Sequence, residues 1–340
     1  MIRVGVVGLG MMGLTHLNVY RSLPNVSIAA ICDADPDRLS GKVSAAGNVE
    51  GQAQASVASL SADVRRCSDL REVIGAEDID LVDICLPTHL HLRFGKAVLE
   101  AGQHLMMEKP LARNAADAAE LAAAAESAKG LSFVGHCLRF WPGWAWLKEA
   151  VDDRRYGSVC SATFRRVVDH PKGAFYDNGD LCGGALLDLH VHDTDFVQYL
   201  FGMPKAVTSF GYSKITNEAD HVVTRYQFDS VPLVVAEGGW AMTDGFTFNM
   251  CYTINFENAT ADFDLSRDKP LAIYEQGKTP EYPEVESKMG YDYEIEYFLE
   301  CIEQQRQPTI VTMQDALNTI RIVDAEAESV KTGKTVTIEA

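Results

Sequence analysis

The segment Ile2 to Gly13, with the sequence IRVGVVGLGMMG, decides the fold of the N-terminal half. An apolar run rich in valine leads directly into Gly8, Gly10 and Gly13, which have the spacing G-x-G-x-x-G and open a helical pattern. Small residues at these positions let the backbone approach a pyrophosphate at the N-terminus of the helix. The segment therefore predicts a strand, turn and helix that bind a dinucleotide; the alternative is a tight turn without a ligand.

A second signal of a dinucleotide site is Asp33, which ends the next predicted strand twenty residues after Gly13. An acidic side chain at this place accepts hydrogen bonds from the adenosine ribose hydroxyls and repels a 2′-phosphate, so NAD is favoured over NADP. Arg38 lies five residues further on and could tolerate a phosphate. The alternative role of Asp33 is to cap the helix that starts near Pro36.

The first 135 residues alternate short apolar runs with helical patterns, which is typical of a Rossmann domain with a parallel sheet. We predict strands at Ile2 to Val7, Val26 to Cys32, Leu81 to Cys85, His104 to Met107 and Leu131 to Gly135. We predict helices at Gly13 to Leu23, Leu70 to Ile74, Leu92 to Ala101 and Ala115 to Lys129. The segment Ser40 to Ser61, rich in Ala, Ser and Gly, indicates a weakly held helix and a loop without an assigned function.

Residues 136–340 have a different pattern, which predicts an α+β domain with a large, mostly antiparallel open sheet. Its predicted strands are Ser158 to Val168, Ala206 to Lys214, Val222 to Asp229, Leu233 to Ala241, Phe246 to Phe256 and Thr260 to Leu265. Its predicted helices are Gly184 to Phe201, Tyr291 to Gln305 and Met313 to Lys331. A large open sheet leaves one face to be covered, which favours a homodimer or homotetramer formed through this domain.

The composition excludes several kinds of partner. The chain has 48 Asp and Glu against 30 Lys and Arg, and the resulting net charge of −18 repels nucleic acid and anionic lipid. No apolar run approaches the roughly 20 residues of a membrane span, and the N-terminus has no signal-peptide pattern, so we expect a cytoplasmic protein. The eight cysteines show no metal-finger spacing, and we expect neither disulfides nor a bound metal.

Two further segments carry reactive side chains. Lys109, in Glu108-Lys109-Pro110, ends a predicted strand at the edge of the sheet where ligands bind, and a lysine beside a positively charged cofactor loses its proton more readily than one in water. Asp188 and His192 lie four residues apart on one face of a predicted helix, where the carboxylate can orient an imidazole that titrates near neutral pH. The alternatives are a surface lysine, a packed polar pair, or a metal held by Asp188 and His192.

These segments, with Cys85-Leu86-Pro87-Thr88 and the glycine motif, resemble the Gfo/Idh/MocA family of glucose-fructose oxidoreductase and myo-inositol 2-dehydrogenase. The likeness extends over nearly the whole chain and includes Ser329 and Gly333 before a closing strand. The resemblance implies an oxidoreductase in which hydride passes from a sugar or cyclitol to the nicotinamide while His192 takes the hydroxyl proton. The catalytic residues implied are Lys109, Asp188 and His192.

The same resemblance implies the binding residues. The cofactor would contact Gly8, Gly10, Met11, Met12, Gly13, Asp33, Arg38, Leu86, Pro87, Thr88, His91, Glu108 and Lys109. A small polyhydroxylated substrate would contact Lys109, Arg139, Asp188 and His192. For His91 we favour bracing of the cofactor loop over reaction, and for Arg139 a salt bridge is an equal alternative. Packing is the favoured use of the three closely spaced tryptophans Trp141, Trp144 and Trp146.

Two departures from the family pattern bear on the substrate. His190 stands where many relatives have glycine, and Cys137 stands where Asn or Gln is common; we expect both to face the substrate pocket. Two rival functions remain open at this point. One is a dinucleotide-binding sensor without chemistry, and the other is a related enzyme acting on a dihydrodiol, on carbon 1 of an aldose, or on a tetrapyrrole.

Overall fold

The computed structural model describes residues 1–42 and 57–338, which form two compact units. The first unit is Met1–His136 with Tyr291–Leu317, and the second is Cys137–Gly290 with Asn318–Ala340. Most of the segment Ser40 to Ser61 lies outside the described residues. Within the described ranges no helix has the length and apolar character needed to cross a membrane. All eight cysteines are described, and none of them forms a disulfide.

The sheet of the first unit is parallel, as the alternating pattern predicts. Its strands have the order β3-β2-β1-β4-β5-β6 in the described part of the chain. They are β1 Ile2–Val7, β2 Val26–Cys32, β3 Arg65–Cys67, β4 Leu81–Ile84, β5 His104–Glu108 and β6 Ser132–Gly135. This is the Rossmann strand order. Successive strands are added toward one edge of the sheet from β1 to β3 and toward the other edge from β4 to β6. The carboxyl ends of β1 and β4 border the crevice where such sheets bind ligands.

Helices cover the sheet of the first unit, because its strands are apolar on both faces. The helices are α1 Met11–Ser22, α2 Pro36–Ser40, α3 His91–Glu100, α4 Ala115–Ser127 and α8 Gly290–Glu303. The sequence-based division places α8 in the second domain, but the structure groups Tyr291–Leu317 with the first unit. The physical reason is packing: the ring of Phe298 stacks on Phe133 of β6 with a centroid distance of 5.2 Å.

The sheet of the second unit is mostly antiparallel, which confirms the predicted fold class. Among the described residues its order is β13-β12-β11-β7-β10-β9-β8-β14, with one parallel pair, β7 and β10. The strands are β7 Val159–Asp169, β8 Ala206–Tyr212, β9 His221–Gln227, β10 Leu233–Met242, β11 Asn249–Phe256, β12 Ala259–Asp264, β13 Leu271–Glu275 and β14 Val336–Thr337. Burial alternates along β9, so one face of the sheet packs on the core and the other faces outward.

The inner face of this sheet packs on the remaining helices. These are α5 Pro142–Asp152, α6 Gly179–Cys182, α7 Val191–Phe201 and α9 Met313–Thr332, with a short π-helix at Leu186–His190 before α7. Trp144 of α5 is fully buried and meets Phe196 and Tyr252 edge to face. The closely spaced tryptophans therefore serve packing at this position, as favoured above. The sequence analysis did not predict α5, α6, β3 or β13.

Candidate active site

The glycine loop between β1 and α1 has the geometry of a pyrophosphate cradle. Gly8 has φ of +90°, and a Cβ there would lie 2.4 Å from the Cys85 carbonyl oxygen; a Cβ on Gly13 would lie 1.8 Å from the carbonyl oxygen of Gly8. At Gly10 the nearest atom to such a Cβ is Arg38 Nη1 at 3.9 Å. Gly8 and Gly13 are thus required by the close packing of the backbone. Gly10 leaves open space in front of α1, where a phosphate group fits.

Asp33 lies directly beside this loop. Its Oδ2 accepts a hydrogen bond from the Leu9 amide at 2.7 Å, and its Oδ1 accepts one from the Asp35 amide at 2.8 Å. The helix that follows is capped by Asp35, which accepts from the Asp37 amide, and not by Asp33. The capping alternative for Asp33 therefore does not hold. The carboxylate is fixed at the carboxyl end of β2, where a ribose would lie.

Arg38 is the basic side chain near Asp33. Its Nη1 lies 3.7 Å from Asp33 Oδ2, and its side chain is 43% exposed. At this distance in a half-exposed setting the ion pair is weak. Arg38 can therefore interact with a second anion such as a 2′-phosphate, whereas the negative charge of Asp33 repels such an anion.

His91 ties together the loops that follow β4 and β5. One ring nitrogen lies 2.8 Å from the Leu86 carbonyl oxygen and the other lies 2.8 Å from the Pro110 carbonyl oxygen. Which nitrogen donates depends on the tautomer. The ring is buried, and burial lowers the pKa of His91. This geometry supports the bracing role that we favour for His91.

Lys109 directly follows β5, at the edge of the sheet where the glycine loop also opens. Its backbone amide donates to Glu108 Oε2 at 3.2 Å, and the Lys109–Pro110 peptide bond is cis. Lys109 is partly exposed, whereas Glu108 is buried. The structure thus brings Lys109, the glycine loop and Asp33 to the carboxyl edge of one sheet, as the strand positions predict.

Asp188 lies in the π-helix, and His192 lies in the first turn of α7, which follows it directly. Both are partly exposed, whereas the polar residues around them are buried. Asp193 pairs with Arg166 at 2.8 Å, and Asp195 pairs with Arg139. A π-helical insertion is rare and frequently occurs at functional sites. The sequence pattern predicts the shared face of Asp188 and His192 but not the π-helix.

Arg139 and His190, which the sequence associates with the substrate, both contact other side chains inside the second unit. Arg139 is buried and binds Asp195 through two nitrogens, at 2.8 and 2.7 Å. The salt-bridge alternative therefore holds, and a substrate contact by Arg139 stays a prediction. His190 is fully buried, and its Nε2 lies 3.2 Å from the Tyr226 hydroxyl. The expectation that His190 faces the substrate pocket is wrong, because the ring fills the space above Gly238 of β10.

The first unit also contains a buried polar cluster that was not predicted from the sequence. His16 Nδ1 lies 2.8 Å from Asp83 Oδ2, and His16 Nε2 lies 3.0 Å from Glu108 Oε1. Within the described residues, two groups bring possible metal ligands within 4.8 Å of one another: His16, Asp83 and Cys85, and His16, Glu108 and Glu294. An acidic residue inside an apolar strand, such as Asp83 in LVDI, is the sequence signal that points to such a cluster.

The fold and the loop geometry define a dinucleotide-binding oxidoreductase, and comparison with known proteins identifies its family. Residues 2–136 match the GFO_IDH_MocA model, described as an oxidoreductase family with an NAD-binding Rossmann fold, and residues 144–262 match the C-terminal domain model of the same family. The chain therefore belongs to the Gfo/Idh/MocA family of oxidoreductases, which confirms the resemblance, the enzyme class and NAD as the cofactor.

Some of the relatives cover nearly the whole chain, and others cover part of it. YrbE of Bacillus subtilis, an uncharacterised oxidoreductase, is 25% identical over 99% of this chain and 97% of its own length. Inositol 2-dehydrogenase of Rhizobium meliloti is 23% identical over 99% of each chain. Levoglucosan dehydrogenase of Pseudarthrobacter phenanthrenivorans is 31% identical over 61% of this chain and 53% of its own length. A solved structure of a levoglucosan dehydrogenase with NADH is 21% identical, covers 99% of both chains and has a TM-score of 0.84.

Proposed function

We propose that this protein transfers a hydride between NAD and a secondary hydroxyl of a sugar, a sugar derivative or a cyclitol. Asp188 and His192 carry the proposal, because they are the partly exposed acid and imidazole on a turn whose other polar groups are buried in ion pairs and hydrogen bonds. A buried side chain cannot reach a substrate, whereas a partly exposed one can. Relatives named inositol 2-dehydrogenase and levoglucosan dehydrogenase support this substrate class.

Each residue has a separate task in the proposed reaction. The glycine loop and Asp33 would hold NAD, which would supply the acceptor for the hydride of the carbon that carries the hydroxyl group. His192 accepts the hydroxyl proton as the hydride departs, and Asp188 orients the imidazole and stabilises its charged form. The Lys109 amine, at the carboxyl edge of the sheet, hydrogen-bonds the reacting hydroxyl and shares in the proton transfer.

The proposal is tested with a panel of inositols, aldoses, anhydrosugars and glycosides, with NAD or NADP, followed by the absorbance of reduced nicotinamide. Once a substrate is found, we expect His192→Ala and Lys109→Ala each to lower turnover by about 10² to 10⁴. We expect the dissociation constant for NAD to stay within a few-fold of the wild-type value. The control is Lys129→Ala, which removes an exposed lysine that follows α4, and we expect it to leave turnover unchanged. Full turnover in both active-site variants would refute the mechanism, and failure to reduce NAD with every polyol would favour a sensor.

We also propose that the protein works in the cytoplasm as a homodimer or homotetramer that associates through the sheet of the second unit. Phe210 of β8 and Val223 of β9 face each other across the outward side of this sheet and are 66% and 37% exposed. Leu233 of β10, on the same side, is 44% exposed. Neighbouring exposed apolar side chains on an open sheet are characteristic of a subunit interface.

A further inference from the structure

Four ionisable side chains from four elements meet inside the first unit, and we call them the buried acid cluster. They are His16 of α1, Asp83 of β4, Glu108 of β5 and Glu294 of α8. His16, Asp83 and Glu294 are fully buried, and Glu108 is 5% exposed. One side-chain atom each of His16, Glu108 and Glu294 lies within 4.8 Å of the other two. The proposed reaction, as described above, uses none of these side chains.

A charged Glu294 would add a third carboxylate to a cluster in which His16 is the one cation facing Asp83 and Glu108. His16 faces the carboxylates of Asp83 and Glu108 with its two ring nitrogens, as a doubly protonated imidazolium does. Asp83 is further satisfied by the Tyr20 hydroxyl at 2.9 Å, with the Cys85 thiol 3.6 Å away. Neither carboxyl oxygen of Glu294 has a hydrogen-bond partner among the described residues. A second uncompensated anion in this interior would be strongly disfavoured, and protonation removes it.

The electrostatic surroundings agree with this assignment. Burial, together with the negative charge of Glu108 and Asp83, raises the pKa of Glu294 well above its ordinary value. Burial acts to lower the pKa of His16, but the interactions with Asp83 and Cys85 together outweigh it, and the pKa of His16 is raised well above its ordinary value. A neutral Glu294 beside a charged His16 is therefore the state that the packing favours.

We propose that Glu294 is a positioning residue that carries a proton, which spares Glu108 the repulsion of a neighbouring carboxylate and thereby holds the end of β5 from which Lys109 projects. Glu108 makes the connection: its Oε1 faces His16, and its Oε2 accepts from the Lys109 amide. Gly135 of β6, the strand partner of Glu108, leaves room for this carboxylate. The consequence for catalysis depends on the proposed role of Lys109, whereas the consequence for stability does not.

The stability test compares wild type with Glu294→Gln, which keeps the shape of the side chain but cannot ionise. A group whose pKa is raised on folding stabilises the protein most at low pH, and this stabilisation is lost as the pH rises from its unfolded value of about 4.3 through the folded pKa. As the pH rises, wild type loses this contribution, whereas Glu294→Gln has no carboxyl group at this position to ionise. We expect the melting temperature of the variant, relative to wild type, to rise by about 2–4 °C between about pH 5 and about pH 9.

Glu300→Gln, an exposed change on the same helix, is the matched control, and its difference from wild type stays flat with pH. A flat difference for Glu294→Gln would overturn the proposal. So would a rise in the melting temperature of wild type on adding Zn²⁺ or Mn²⁺ that Glu294→Gln abolishes, because the cluster would then be a cation site. If Glu294→Gln does not fold, infrared spectra of wild type labelled with ¹³C-glutamate decide: absence of a protonated carboxyl band at neutral pH contradicts the proposal.

The kinetic test asks whether the proton matters for catalysis. Ionisation of Glu294 would repel Glu108 and disturb the end of β5, so wild-type turnover falls at high pH. In Glu294→Gln this loss is absent, and the ratio of variant to wild-type turnover is larger by roughly threefold or more at about pH 9 than at about pH 7. A purely structural role would leave the ratio constant. If Lys109→Ala is fully active while the melting difference appears, the proposed function fails and the proton on Glu294 stands.

Discussion

At the scale of single residues, we propose that Asp33 determines the preference for NAD. The carboxylate accepts a hydrogen bond from the Leu9 amide, while Arg38 lies 3.7 Å from Asp33 and 3.9 Å from Asp35. Removing the carboxylate removes the repulsion of a 2′-phosphate and leaves Arg38 to attract it. We expect Asp33→Ser to shift the ratio of NADPH to NADH affinity by on the order of tenfold, equivalent to about 1.4 kcal/mol.

Fluorescence titration with NADH and NADPH measures this ratio. The control is Asp37→Ser, which removes the same charge from an exposed position on α2. A loss of affinity for both cofactors in equal proportion would mean that Asp33 only supports the loop. That result would remove the argument for a charge-based choice of cofactor.

Residue types and short spacings predict much of the candidate site. The glycines, Asp33 and Lys109 all lie next to strand ends, and the strands are readable from local hydrophobic patterns. The role of His190 is different. It neighbours the reactive pair in sequence, but its ring packs on β10, so its proximity along the chain gives the wrong expectation. Side-chain direction around a π-helix does not follow the ordinary helical period.

At the scale of elements, the contact between the π-helix and β10 is the feature most sensitive to a small change. A Cβ on Gly238 would lie 2.4 Å from His190 Nδ1 and 2.8 Å from His190 Cβ. We expect Gly238→Ala to lower the free energy of unfolding by about 1–3 kcal/mol through overpacking. Because the same turn carries Asp188 and His192, turnover falls as well.

The double variant Gly238→Ala with His190→Ala is the control for this prediction, since it removes the ring that the new methyl group meets. Urea unfolding and turnover are measured for both single variants and the double variant. Additive losses, without recovery in the double variant, would show that Gly238 has a role unrelated to His190.

The missed elements have identifiable causes. The strand β3 is only three residues long and contains two arginines, which is unlike an apolar strand. The helix α5 contains Gly143 and Trp144, which have weak helix propensity, and it forms because Trp144 fills the core beneath the sheet. Tertiary packing overrides weak local propensity in this helix.

At the scale of the whole molecule, the outward face of the second sheet predicts the state of assembly. Phe210 and Val223 are paired across β8 and β9 and are exposed in a single chain. We expect wild type to have at least twice the monomer mass by light scattering after size-exclusion chromatography. Replacing both residues by Asp puts two charges into the interface and yields monomers.

The control for this experiment is Tyr282→Asp, which changes an aromatic residue that is 48% exposed and lies outside the strands. It leaves the mass unchanged. A monomeric wild type, or a double Asp variant that keeps the wild-type mass, would contradict association through this face. Circular dichroism verifies that the variants retain their secondary structure.

The sequence by itself determined the order of domains, the parallel and antiparallel sheets, the glycine loop and the strand-end positions of Asp33 and Lys109. Each of these depends on residues that are close in the chain, because strand, turn and helix patterns have short periods. Tertiary structure alone decided that α8 belongs to the first unit and that Glu294 meets His16 and Glu108. These partners are separated by up to 278 residues, and a buried polar side chain carries no local sign of the group that neutralises it.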